Sequence, residues 1–112
     1  MDAMIASDAW IEVGRIEDIP RSGARVVSTP QGRIAVFRNG EDEIFALEDR
    51  CPHKAGPLSQ GIVHGRSVTC PLHGWVIDLA SGHAAAPDEG CAPPIAVVLD
   101  QGRIRIRLMK PA

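Results

Sequence analysis

Cys51-Pro52-His53-Lys54-Ala55-Gly56-Pro57-Leu58-Ser59-Gln60-Gly61 and Cys70-Pro71-Leu72-His73-Gly74-Trp75 are the two stretches on which the fold of this 112-residue chain turns. Their soft donors follow the pattern C-x-H-x16-C-x2-H. Each half offers one thiolate and one imidazole from a short proline-bearing loop, so two loops closing on each other bring four metal ligands together. Each half is also followed by a glycine, Gly56 or Gly74, which lets the backbone approach closely. Either half alone carries little weight; the pair points to a bound metal. Two metals suit such a set: zinc held by all four donors, or a 2Fe-2S cluster with the cysteines on one iron and the histidines on the other. Zinc sites commonly use Cys-x2-4-Cys knuckles, whereas each loop here mixes its ligand types, which matches the split arrangement better.

On either side of this segment the chain reads as strands. Apolar runs are short, rich in Val and Ile, and closely punctuated by turn residues. Thr29-Pro30-Gln31-Gly32 and Asn39-Gly40-Glu41-Asp42 flank Ile34-Ala35-Val36-Phe37 and predict two hairpins. Asp100-Gln101-Gly102 predicts a third, joining Ile95–Leu99 to a strand in which Ile104, Ile106 and Leu108 alternate with Arg103, Arg105 and Arg107. That alternation marks a half-buried strand with a solvated arginine face. Ile16-Glu17-Asp18-Ile19 before Pro20 allows one helical turn. The class is therefore all-β. Gly and Pro make up about 18 % of the residues against a usual share of about 12 %, in keeping with many turns. Between the hairpins, residues 50–90 hold all four histidines, six glycines and two of the three cysteines, so something other than apolar packing must order them.

At 45 % hydrophobic, the chain can build one core, and a single domain over residues 1–112 is expected. Its formal charge is -2, split as -4 over residues 1–50 and +2 over the rest, which gives no cationic field for nucleic acid. The longest aliphatic run, Ile95–Leu99, is far too short to span a membrane. The first eight residues lack the basic and apolar regions of a targeting signal, and three cysteines are an odd number for a disulfide framework. A cytoplasmic protein with reduced thiols is expected.

The two cysteine–histidine loops and the residues around them resemble the Rieske 2Fe-2S family, over most of the chain. The resemblance implies a β-sandwich with an inserted cluster-binding subdomain, here about residues 50–90. It places Cys51 and Cys70 on the buried iron and His53 and His73 on the outer iron of a Rieske-type 2Fe-2S cluster. It also implies that a proline-bearing loop covers the cluster, for which Ala84–Gly90 with Pro87 is the candidate. Within the family, the run from Cys51 to Gly61, together with Trp75-Val76-Ile77-Asp78-Leu79, Gly82 and Ala86-Pro87-Asp88-Glu89-Gly90-Cys91, is most similar to the small subunit of assimilatory NAD(P)H nitrite reductase. Pro-His-Lys and Pro-Asp-Glu-Gly-Cys are the discriminating elements. Gly74 departs from the pattern, because that subfamily often has Asn there and dioxygenase ferredoxins have Gly.

In function, the resemblance implies an oxidoreductase subunit whose isolated chain is an electron carrier. Its partner is a large subunit with flavin and sirohaem, and the complex takes nitrite to ammonium. The alternative is the Rieske ferredoxin of an aromatic ring-hydroxylating dioxygenase; a structural module whose metal serves only the fold is a third. Quinol-oxidising relatives place a disulfide where Gly56 and Leu72 stand and hydroxyl donors where Trp75 and Ile77 stand, so the similarity is to the low-potential branch. Cys91 is expected to be buried or half-buried, His64 and His83 to be surface loop residues, and Glu48 and Asp49 to be solvated charges or a docking rim. No nucleophile-and-base pair, phosphate loop or carboxylate pair is visible in the sequence.

Overall fold

The computed structural model describes residues 9–30, 32–52, 56–72, 74–86 and 89–108. The described residues form nine strands, in chain order β1 (Ala9–Arg15), β2 (Gly23–Thr29), β3 (Gly32–Arg38), β4 (Ile44–Glu48), β5 (Ile62–His64), β6 (Ser67–Thr69), β7 (Val76–Asp78), β8 (Val97–Asp100) and β9 (Arg103–Leu108). They form three antiparallel three-stranded sheets, ordered β1-β9-β8, β2-β3-β4 and β5-β6-β7. The only helical pieces among the described residues are two 3-10 turns, Ile16–Asp18 and Leu58–Gln60, and the first is the turn expected before Pro20.

The middle sheet explains the unbroken apolar run Ile34-Ala35-Val36-Phe37. All four side chains are buried, and alternation sends them to opposite faces. Ala35 and Phe37, with Phe45 and Leu47 of β4, pack against Val63, Val68, Ile77 and both Cys51 and Cys70. Ile34 and Val36, with Ala46, pack against Ile104, Ile106 and Ile19. A strand covered on both faces loses the polar alternation of a half-exposed one. β9 keeps it: Ile104 and Ile106 are buried while Arg103 is exposed, with ion pairs from Arg103 to Glu12 at 3.7 Å and Arg105 to Asp100 at 3.1 Å.

The expected hairpins form. Thr29 pairs with Gly32 across the β2–β3 turn, whose Gln31 lies outside the described residues. At the β8–β9 turn Gln101 and Gly102 both have positive φ, 53° and 80°, as a tight twisted hairpin requires. At the β3–β4 turn the fully buried Asn39 accepts from the amides of Glu41 and Glu43 at 3.0 and 2.8 Å. Its Nδ2 donates to Glu43 at 2.7 Å and to the Gly65 carbonyl at 3.1 Å, which ties this turn to the β5–β6 turn. After β7 the chain returns beside β4: Glu48 N donates to Pro93 O at 3.0 Å and Ile95 N to Ala46 O at 2.8 Å. The segment between β4 and that return, with its own small sheet, is the insertion that carries the site.

Candidate metal centre

Both motif cysteines sit at the base of a short loop closed by the same kind of bond. Cys51 N donates to Gly56 O at 2.7 Å, and Cys70 N donates to Trp75 O at 2.7 Å. The second loop is tightened by Gly74 N to Cys70 O at 3.1 Å, with Gly74 at φ +75°, a conformation that favours glycine. β6 and β7 form the stem of this second loop, with Thr69 opposite Val76.

The loops meet at Gly56. A Cβ there would stand 2.7 Å from Leu72 Cδ1 and 3.4 Å from Cys70 Sγ, so glycine is what lets the first loop close on the second. Gly56 and Leu72, the positions where quinol-oxidising relatives carry a disulfide, are thus neighbours here without one. A third segment reaches both loops: a Cβ on Gly90 (φ +142°) would lie 2.8 Å from Pro52 Cβ and 3.8 Å from Trp75 Cζ3. Ala84 N to Gly90 O at 2.9 Å and the His83–Cys91 bridge close its base. Asp78 anchors that base by accepting from Ser81 N and Oγ, both at 2.8 Å, and these bonds hold its carboxyl below the usual range.

Cys51 and Cys70 are 2 % and 3 % exposed, lie in one apolar cluster, and are not disulfide-linked. Buried thiols converging from two loops, with a cradle that a side chain at Gly56 would fill, fit a sulfur-ligated cluster. His53, His73, Lys54, Pro87 and Asp88 lie outside the described residues. Among the described residues no group of three or more His, Cys, Asp and Glu side chains is placed to hold a metal ion.

Other expectations divide. His64 and His83 are exposed, His64 on β5 with Nε2 2.7 Å from Thr69 Oγ1. Trp75 is half-buried against the core that holds the cysteines, and Ile77 is fully buried in it. Cys91 is exposed, not buried, because the close approach of Gly82 to the Ala92 carbonyl puts Ala92 inside and turns the neighbouring side chain out. Asp49 is not a solvated rim charge: its side chain is 1 % exposed, and its two oxygens accept from Ser59 N and Oγ, each at 2.8 Å. Sequence reading missed this pair, since an acid beside Glu48 and a serine ten positions on carry no pattern of their own.

A three-layer β fold whose inserted loops bury two converging thiols defines an iron–sulfur domain. The family model of the Rieske [2Fe-2S] domain matches residues 9–99, and the chain belongs to that family. It carries a Rieske-type 2Fe-2S cluster and acts as an electron-transfer domain. The anthranilate 1,2-dioxygenase ferredoxin subunit of Burkholderia cepacia is 36 % identical over 105 residues, 87 % of this chain and 92 % of that protein. The 4beta-methylsterol monooxygenase of Methylococcus capsulatus is 48 % identical over 65 residues, 58 % of this chain, but the match spans only 17 % of that protein. In fold, a chain assigned as an NADH-dependent nitrite reductase small subunit from Mycobacterium tuberculosis superposes with a TM-score of 0.82 at 20 % identity, over 93 % of this chain and 98 % of that one. No helix among the described residues is long and apolar enough to cross a membrane.

Proposed function

We propose that this chain is the electron-transfer small subunit of an assimilatory NAD(P)H-dependent nitrite reductase, one Rieske domain over residues 1–112 with its cluster-binding part at about 50–90. Cys51 and Cys70 hold the inner iron, and His53 and His73 the outer one. The observation that carries the reading is the contact of Gly90 with Pro52. It brings together one residue from each of the two stretches, Pro52-His53-Lys54 and Pro87–Cys91, by which the sequence resembles the nitrite reductase small subunits.

The bound cluster supplies one-electron transfer. With both histidines neutral, two ferric ions, two sulfides and two thiolates sum to neutrality, which opposes an added electron less than an all-thiolate set does. The protein's part is to fix and shield. The apolar cluster around Cys51 and Cys70 keeps water from the sulfur side, and the cysteine amides close their own loops. The third segment packs over Pro52 and Trp75. Lys54, next to His53 in sequence, is the charge proposed to tune association with the partner.

A second reading, the ferredoxin of a ring-hydroxylating dioxygenase, is favoured by the 36 % identity to the anthranilate dioxygenase ferredoxin subunit over 92 % of its length. Deletion of the chain from its native host separates the two. Loss of NAD(P)H-dependent nitrite reduction, restored by wild type and only weakly by Lys54→Glu, is the expected result. Intact nitrite reduction with loss of ring hydroxylation gives the second reading.

A further inference from the structure

The two cysteine loops differ in what holds their ends. The second grows from the β6–β7 ladder, whose paired strands fix both ends. The first runs from the end of β4 to the Leu58–Gln60 turn, and those two elements do not pair with each other. What joins them is Asp49. Its amide donates to Arg33 O at 2.9 Å, which fixes it to the start of β3. Its carboxylate, 1 % exposed, takes both the Ser59 amide and the Ser59 hydroxyl at 2.8 Å, while the exposed Arg33 guanidinium stands 3.7 Å off. Cys51 lies inside this outer closure, and the Cys51–Gly56 bond is nested within it.

We infer that Asp49 and Ser59 form a positioning clasp for the first cysteine loop: it takes the place of a strand ladder and sets how long the chain retains its cluster. The inference rests on Cys51 being a ligand, as proposed above. Hydrogen bonds to a buried carboxylate are among the stronger ones, and breaking them removes the outer closure of the loop while the inner Cys51–Gly56 bond remains. Local opening of the loop then exposes the sulfur side to solvent while the sheets stay folded.

The test is the decay of cluster absorbance in a ferrous chelator, measured on the purified holoprotein. Ser59→Ala loses iron a few-fold faster than wild type and Asp49→Ala roughly tenfold or more faster, as the charge-assisted bonds are removed singly or together. Ser59→Thr, which keeps the hydroxyl, decays at the wild-type rate. Ile106→Val in the distant core lowers the melting temperature and also decays at the wild-type rate. If Asp49→Ala does not fold, the Ser59 pair of variants decides. Ser59→Ala decaying like wild type, or Ile106→Val accelerating decay as much as Ser59→Ala, overturns the clasp. Cys51→Ser is the companion arm: retained cluster in that variant overturns the ligand assignment itself, whereas its loss beside a wild-type rate in Ser59→Ala overturns the clasp alone.

Discussion

Three cysteines occupy two kinds of environment. Cys51 and Cys70 are buried together in one core, while Cys91 is exposed with Sγ 3.6 Å from the Ser81 carbonyl. Replacing either of the first two by Ser should abolish cluster assembly, and Cys91→Ser should leave it unchanged, as read by iron content and visible absorbance; iron loss in the Cys91 variant contradicts the assignment. The half-buried Trp75 and the buried Ile77 put no hydroxyl where high-potential relatives have one. Hydrogen bonds to the sulfurs raise a cluster's potential, so protein-film voltammetry should place this one toward the lower end of a range of roughly -150 to +300 mV. A value near the upper end contradicts that reading. At this scale the paired motifs marked the two loops whose cysteines, Cys51 and Cys70, the fold buries in one core, because metal chemistry restricts residue type and spacing together. Sequence reading misplaced Asp49, expected in solvent, and Cys91, expected at least half-buried, because their burial depends on what the fold brings against them: Ser59 for the one, the Gly82–Ala92 approach for the other.

Among elements, β3 and β9 were legible for opposite reasons. The Ile-Arg alternation of β9 is the mark of one wet face, and the continuous run in β3 reflects cover on both faces, by the cysteine-bearing core and by the Ile104–Ile106 core. The short strands β5, β6 and β7, three residues each, were not separable from loop, because three residues carry too little periodicity. The link between the middle sheet and that small sheet, Asn39 to the Gly65 carbonyl, was equally hidden. Asn39→Ala removes four hydrogen bonds and leaves buried groups unpaired, so a loss of about 2–3 kcal/mol is expected in denaturant unfolding. A variant as stable as wild type contradicts the role given to Asn39.

Across the molecule, pH sensitivity has a located source. Hydrogen bonds from Arg21 and then Arg38 lower the Asp42 carboxyl from 3.8 to about 2. Since the folded value lies below the unfolded one, this stabilisation is complete above about pH 4 and is lost as the pH falls from there through about 2. Asp42→Asn should therefore flatten the acid limb of the unfolding curve in that window; an unchanged slope contradicts it. Taken as one body, the protein is a scaffold for a single redox centre, with three sheets positioning two loops whose cysteines point inward. EPR of the reduced, anaerobically prepared protein, with and without nitrogen-15-labelled histidine, is the decisive measurement. A mixed-valence centre of two irons coupled to two histidine nitrogens is expected, with one coupling belonging to His53 and the other to His73, so that neither His53→Ala nor His73→Ala shows the two-nitrogen pattern. A colourless, redox-silent protein holding zinc, or a reduced cluster without histidine coupling, would contradict it.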